Sequence, residues 1–256
     1  MKKIVITGGL GYIGSELCKL YSGLSWKYEI LAIDKRFVSE RVNELKRRKI
    51  KFIQADILNI KEIRPHIEDA DTIHHLAGIT DVAYVKKDSN KKQDEEIKKV
   101  AIYGTENVLN SMNSNAKIIF PSTHVVFEGL NEPKENVDEN EKTNTFLAYS
   151  SSKVENENQI IKSGKRHIIF RLGSVYGFST DTMRIGIMPN LFSKIASQNG
   201  TIKLYGGGVQ LKSLVPIIDV VRCFKYAEEN NKLEDGIYNL TKENTTVKEV
   251  AEICKK

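Results

Sequence analysis

Tyr149 and Lys153, in the run Tyr149-Ser150-Ser151-Ser152-Lys153, are the residues whose types and spacing point most directly to acid–base chemistry. On a helix, residues four apart share one face. A free phenol titrates at about pH 10, and a neighbouring ammonium lowers that value, so the pair offers a phenolate base near neutrality. One such pair also arises by chance on a surface helix, so its weight rests on the company it keeps. Upstream, the apolar run Lys117 to Pro121 is followed by Ser122, Thr123 and His124. A hydroxyl at the carboxyl end of a parallel strand faces the crevice where such sheets hold ligands.

A second constellation lies at the amino end. Thr7-Gly8-Gly9-Leu10-Gly11-Tyr12-Ile13-Gly14 follows an apolar run and precedes a helical pattern. Glycines there permit a tight turn, let the backbone approach a pyrophosphate and let helix and strand pack closely, while the helix N-terminus donates amides to the anion. A plain strand-to-helix turn also uses glycine. Asp34 adds to the reading, because it ends the second apolar run 20 residues past Gly14, where a carboxylate accepts from adenosine ribose hydroxyls. An acid there repels a 2′-phosphate, which favours NAD over NADP, and Lys35 and Arg36 soften that preference.

Short apolar runs at Lys3 to Thr7, Glu29 to Asp34, Lys51 to Ala55, Thr72 to Leu76, Lys117 to Pro121 and His167 to Leu172 must position these groups. They show little polar alternation, the pattern of strands covered on both faces, and helical stretches separate them. The expected fold is therefore α/β, a Rossmann-type doubly wound parallel sheet over residues 1–177. Residues 178–256 are expected to form a smaller, partly interleaved substrate lobe. It would hold a helix from Ile185 to Ser197, strands near Ser213 to Pro216 and Ile237 to Leu240, and a last helix from about Thr246. Lys86 to Lys99 reads as a solvated helix start and Asn131 to Asn144 as a surface loop.

Taken in order, the glycine loop, Asp34, His74-His75-Leu76-Ala77-Gly78, Ser122-Thr123, Tyr149 to Lys153 and Arg171-Leu172-Gly173-Ser174-Val175-Tyr176-Gly177 resemble the extended short-chain dehydrogenase/reductase family, specifically its NAD-dependent nucleotide-sugar epimerases and dehydratases. The resemblance implies that Tyr149 is the base, that Lys153 tunes it and binds the nicotinamide ribose, and that Thr123 is the catalytic Ser/Thr. It also implies NAD contacts at Gly8, Gly11, Tyr12, Ile13, Gly14, Asp34, Lys35, Asp56, Ile57, Leu76, Ala77 and Gly78, and at Tyr149 and Lys153 themselves. Thr80, Ser122, His124, Ser174, Gln210 and Lys212 are candidate substrate contacts. His124 is read either as a donor to a substrate oxygen or as a structural histidine.

Four departures stand out: Ala101 where relatives place an Asn, His124-Val125 where 4,6-dehydratases have an Asp-Glu pair, Lys212 for a common Arg, and a C-terminus that ends early for the family. The expected activity is a nucleotide-sugar C4 epimerase, with a 4-dehydrogenase, a 4-keto-sugar reductase or a non-catalytic NAD-binding regulator as alternatives. Lys and Arg number 39 against 33 Asp and Glu, a net +6 interspersed along the chain, which indicates no nucleic-acid partner. Three distant cysteines suggest neither disulfides nor a metal site, and the adjacent His74 and His75, on opposite faces of a strand, do not suggest one either. No apolar run approaches a membrane span or a signal peptide, so a cytoplasmic protein is expected. Val100, Tyr103, Val108 and Leu109, with the helix from Tyr149, could build a four-helix homodimer contact or face the core.

Overall fold

The computed structural model describes residues 1–80, 89–128 and 134–255. Seven parallel strands form the main sheet: β1 (Lys2–Thr7), β2 (Tyr28–Asp34), β3 (Lys51–Gln54), β4 (Thr72–His75), β5 (Lys117–Thr123), β6 (Arg166–Leu172) and β9 (Gly236–Leu240). Their order is β3-β2-β1-β4-β5-β6-β9. The strand order reverses between β1 and β4, which opens the ligand crevice above their carboxyl ends.

Both faces are covered, as the unalternating apolar runs require. Ile4, Ile6 and Ile168 point to one side, where Leu17 and Tyr21 of α1 (Tyr12–Ser22) and Phe224 of α7 (Ile217–Glu229) pack on them. Val5, Ile73 and Ile118 point to the other, under α3 (Ile60–Ile67), α4 (Lys91–Ser111) and α5 (Ala148–Lys162). Helix α2 (Ser39–Arg47) adds Val42 and Leu45 to the first side.

A three-stranded sheet, β10-β8-β7, forms the second layer from β7 (Ser174–Tyr176), β8 (Leu211–Pro216) and β10 (Glu243–Thr246). Helices α6 (Met188–Ser197) and α8 (Val247–Lys255) pack on it around Phe192, Leu214 and Val250. The helix expected from Ile185 starts at Met188, because Pro189 is tolerated only in a first turn and disfavours helix in what precedes it. Residues 217–240 lie beyond the boundary drawn at 177, yet α7 packs on α1, and β9 pairs with β6 from Ile168 opposite Gly236 to Leu172 opposite Leu240. A strand this short carries no mark of which sheet it joins.

Of the two polar stretches, 86–88 and 131–133 lie outside the described residues. Helix α4 opens at Lys91 behind Asn90, whose side chain accepts from the Lys92 and Gln93 amides. Val100, Val108 and Leu109 are buried in the core, and of the four residues offered for a dimer contact only Tyr103 is exposed, at 57%. On the same helix, Lys99 and Glu106, four residues before it and three after, are exposed as well.

Candidate active site

The crevice is built from the glycine loop upward. Gly8 sits at φ +71°, and a Cβ there would fall 2.8 Å from the Ala77 amide nitrogen; a Cβ on Gly14 would fall 2.3 Å from the Gly8 carbonyl oxygen. Only glycine allows the loop after β1 to fold this tightly against the chain after β4. Helix α1 then starts at Tyr12 behind Gly11, which offers no side-chain cap and leaves the amides of the first turn, at Tyr12, Ile13 and Gly14, for an anion. The Tyr12 hydroxyl donates to the Gly177 carbonyl at 2.5 Å and ties α1 to the second layer.

Asp34 ends β2 beside this loop. It accepts from the Leu10 amide at 3.1 Å and from the Arg36 amide at 3.0 Å, and Arg36 forks onto it at 3.1 and 3.2 Å. Lys35 contributes its carbonyl to Gln54 and leaves its side chain exposed. Asp56 is half-buried, and one of its oxygens accepts from the Leu58 amide. Buried Ile57 fills the space that a side chain at Gly104 would need, and its carbonyl accepts from Asn107. Leu76 donates its amide to the Thr7 carbonyl, Ala77 donates to the Thr7 hydroxyl, and Gly78 is exposed. The cradle, the uncapped helix end and the carboxylate beyond it supply the donors and the acceptor that a dinucleotide would use.

The catalytic candidates meet where β5 ends and α5 begins. Thr123 is the last residue of β5, and its hydroxyl accepts from the Val125 amide at 3.3 Å. The Glu128 carboxylate accepts from the Phe146 and Leu147 amides at 3.0 and 2.9 Å and from the Ser150 hydroxyl, anchoring the N-terminus of α5. Tyr149 stands in that first turn, half-buried. One turn on, the Lys153 ammonium donates to the Pro121 carbonyl at 2.7 Å and lies 4.3 Å from the Phe120 ring centre and 5.8 Å from that of Tyr149. Burial pushes Lys153 down to about 8, against an upward pull from Glu157.

The histidines divide as the strand pleat dictates. His74 faces α1 and α7, meeting the Tyr21 hydroxyl at 3.0 Å and stacking on Phe224; His75 faces the other side, between the Thr7 and Thr105 hydroxyls at 2.8 and 3.1 Å. Burial lowers both to about 3, so both are neutral. His124 donates from Nδ1 to the Leu172 carbonyl at 2.9 Å, which leaves Nε2 as an acceptor without a proton; burial, and then Lys212, hold its pKa down against the pull of that carbonyl.

The remaining candidates scatter. Ser122, offered as a substrate contact, gives its hydroxyl to Glu157 inside the core, because adjacent strand residues face opposite ways. Ser174 lies on β7 opposite Leu214, Gln210 donates to the Tyr205 carbonyl, and Lys212 is exposed on β8. Exposed Thr80 accepts from Arg184 through its carbonyl. Several contacts around the glycine loop had no sequence signal. Arg41 donates to the Leu10 carbonyl and pairs with Asp181, and Ser179 donates to Glu16, so the segment after β7 crosses the glycine loop.

Residues 4–241 match the family described as the NAD dependent epimerase/dehydratase family. This chain belongs to that family. A putative UDP-glucose 4-epimerase of Methanocaldococcus jannaschii is 29% identical over 98% of this chain and 81% of its own. A dTDP-D-glucose 4,6-dehydratase of Dictyostelium discoideum is 28% identical over 94% of this chain; the match spans 58% of that protein, and 35% of an uncharacterized Frog virus 3 relative. The UDP-glucuronic acid 4-epimerase of Bacillus cereus, solved with UDP-glucuronic acid and NAD, superposes with a TM-score of 0.81 at 23% identity, over 99% of this chain and 82% of its own. The family is NAD dependent, and the cradle described above is suited to that cofactor.

Proposed function

We propose that the protein is a nucleotide-sugar 4-epimerase. The observation that carries this reading is the junction of β5 and α5, where Lys153 is pinned to the Pro121 carbonyl beneath Tyr149, Thr123 closes the strand, and His124 and Val125 follow in place of an acid–base pair. NAD, when bound, supplies a hydride acceptor that returns the hydride within the same turnover. Tyr149, as phenolate, takes the proton of the sugar C4 hydroxyl, and the adjacent ammonium stabilises that phenolate. The Thr123 hydroxyl donates to the same oxygen and holds it while C4 is a ketone. Once the sugar has presented its other face, Tyr149 gives the proton back, so the net reaction inverts C4 with no overall redox change.

His124 bears on the competing reaction. Loss of water from C5 and C6, the 4,6-dehydratase outcome, needs a proton donor and a proton acceptor beside the ketone. Val125 is neither, and the imidazole of His124 has its one proton committed to the Leu172 carbonyl. Lys212, exposed on β8, is proposed as a point charge for the substrate diphosphate.

The test is proton NMR of products after incubating the cofactor-loaded protein with UDP-, GDP- and dTDP-sugars. Inversion at C4 is expected with at least one, and Tyr149→Phe should lower its rate by about 10²–10⁴-fold while NAD affinity stays within a few-fold. Cofactor-loaded protein that inverts none of them refutes the reading, and stoichiometric NADH formation instead identifies a dehydrogenase.

A further inference from the structure

Beneath the proposed reacting pair lies a buried ion pair that the reaction itself does not use. Arg171 on β6 forks onto Glu157 on α5 at 3.1 and 2.8 Å, and the two side chains are 5% and 3% exposed. Glu157 also accepts from the Ser122 hydroxyl on β5. The third arm of the guanidinium donates to the Glu139 carbonyl at 3.0 Å, and its face lies 5.3 Å from the Phe127 ring centre. The Glu139 carboxylate in turn accepts from the Asn239 amide on β9 at 2.7 Å. One buried pair thereby joins β5, β6, β9, α5 and the segment that leads into Tyr149.

Burying two charges is costly, and a stable core could be made with apolar residues in their place. The position of the pair supplies a reason for it. Glu157 follows Lys153 by four residues on one helix face, and it is the negative charge that acts on that ammonium. Among the described residues, the other titratable groups around Lys153 are Tyr149 on its own helix and the neutral His75 on β4; α4, packed alongside, meets this region through the Thr105 hydroxyl and the Ala101 carbonyl.

We infer that the Glu157–Arg171 pair is a positioning device for the reaction: it registers α5 against the ends of β5 and β6, and so holds Lys153 beside Tyr149 with the Glu157 carboxylate one helix turn further along. The inference rests on the proposed roles of Tyr149 and Lys153. Without the carboxylate, Lys153 would lose its proton at lower pH and Tyr149 would lose its cation. Glu157 itself, two turns from Tyr149, acts on the phenol less than the lysine one turn away.

Glu157→Gln tests this, with Glu157→Leu/Arg171→Leu as a second variant that leaves no unpaired buried charge, and Ser122→Ala as a milder one that frees Glu157 from β5 only. Two readouts are taken on the holoenzyme. The first is the midpoint of tyrosinate absorbance assigned to Tyr149 by subtracting the Tyr149→Phe signal, which needs no turnover. The second is the alkaline limb of the rate profile. Removing Glu157 should move the Tyr149 midpoint up toward the ordinary phenol value and the alkaline limb down by about one unit, about a fivefold loss near pH 8. Glu157→Asp, which keeps the charge and shortens the reach, should lose rate with the limb unmoved. A folded variant lacking Glu157 whose Tyr149 midpoint and alkaline limb match wild type overturns the inference. A protein that turns over no sugar but whose Tyr149 midpoint moves as stated overturns the proposed reaction and leaves the positioning role standing.

Discussion

Replacing Gly14 with alanine sets helix propensity against tertiary contact, and the two predict opposite signs. Gly14 is the third residue of α1. In an isolated helix alanine there would be better by about 1 kcal/mol. In the folded chain the new Cβ would sit 2.3 Å from the Gly8 carbonyl oxygen and 2.9 Å from the Gly9 Cα. Both neighbours are backbone, so relief requires the loop to move by about 1 Å to regain an ordinary contact. That same carbonyl accepts from the Gly11 amide at 2.9 Å, a bond worth about 1 kcal/mol. Overpacking adds about 1–3 kcal/mol. After the propensity gain is subtracted, the expected loss is about 1–3 kcal/mol, which for a chain of this size lowers Tm by about 2–10 °C. Because the displaced loop is also the proposed diphosphate cradle, NAD affinity should fall by at least about tenfold. Thermal unfolding of the apo protein and a calorimetric NAD titration read the two effects separately. A variant at least as stable as wild type and equal to it in NAD affinity would refute the close-approach argument.

Three further outcomes follow from the site. Asp34→Ala should weaken NAD by about 1–2 kcal/mol, roughly tenfold, and narrow the gap to NADP, since Arg36 is freed from its fork; titrations with both cofactors check this. His74 and His75 are held neutral at about 3, whereas the unfolded chain takes up those protons near 6.5. The unfolded state therefore binds more protons between those values, and stability should fall as pH drops through that window, by about 2 kcal/mol per histidine at pH 5, measured by urea unfolding at pH 7 and 5. Gly104→Ala should push Ile57, whose terminal carbon lies 2.4 Å from the new Cβ, out of its place, and lower NAD affinity severalfold with a small change in Tm, because a flexible side chain gives where backbone does not.

Periodicity and composition determined six of the seven strands of the main sheet to within two residues at either end, since strands buried on both faces leave an apolar run that needs no partner to be recognised. The glycine loop, Asp34 and the Tyr149–Lys153 spacing were equally legible, because each is local: a turn, a strand end, one helix turn. Tertiary structure decided the rest. The pleat sends Ser122 to Glu157 and turns Thr123 the other way, where its hydroxyl accepts from the Val125 amide, a difference invisible in two adjacent hydroxyls. It also assigns β9 to the main sheet instead of the lobe where it lies in sequence, through the crossover made by α7. The core takes Val100, Val108 and Leu109, which an amphipathic pattern alone offered equally to a partner. The contacts that unite the site, Arg171 with Glu157 and Glu139, Arg41 with Leu10 and Asp181, join residues 14 to 140 positions apart. Such contacts are set by where the strands lie in the sheet, and a charge in a linear sequence carries no mark of the partner that folding will bring to it.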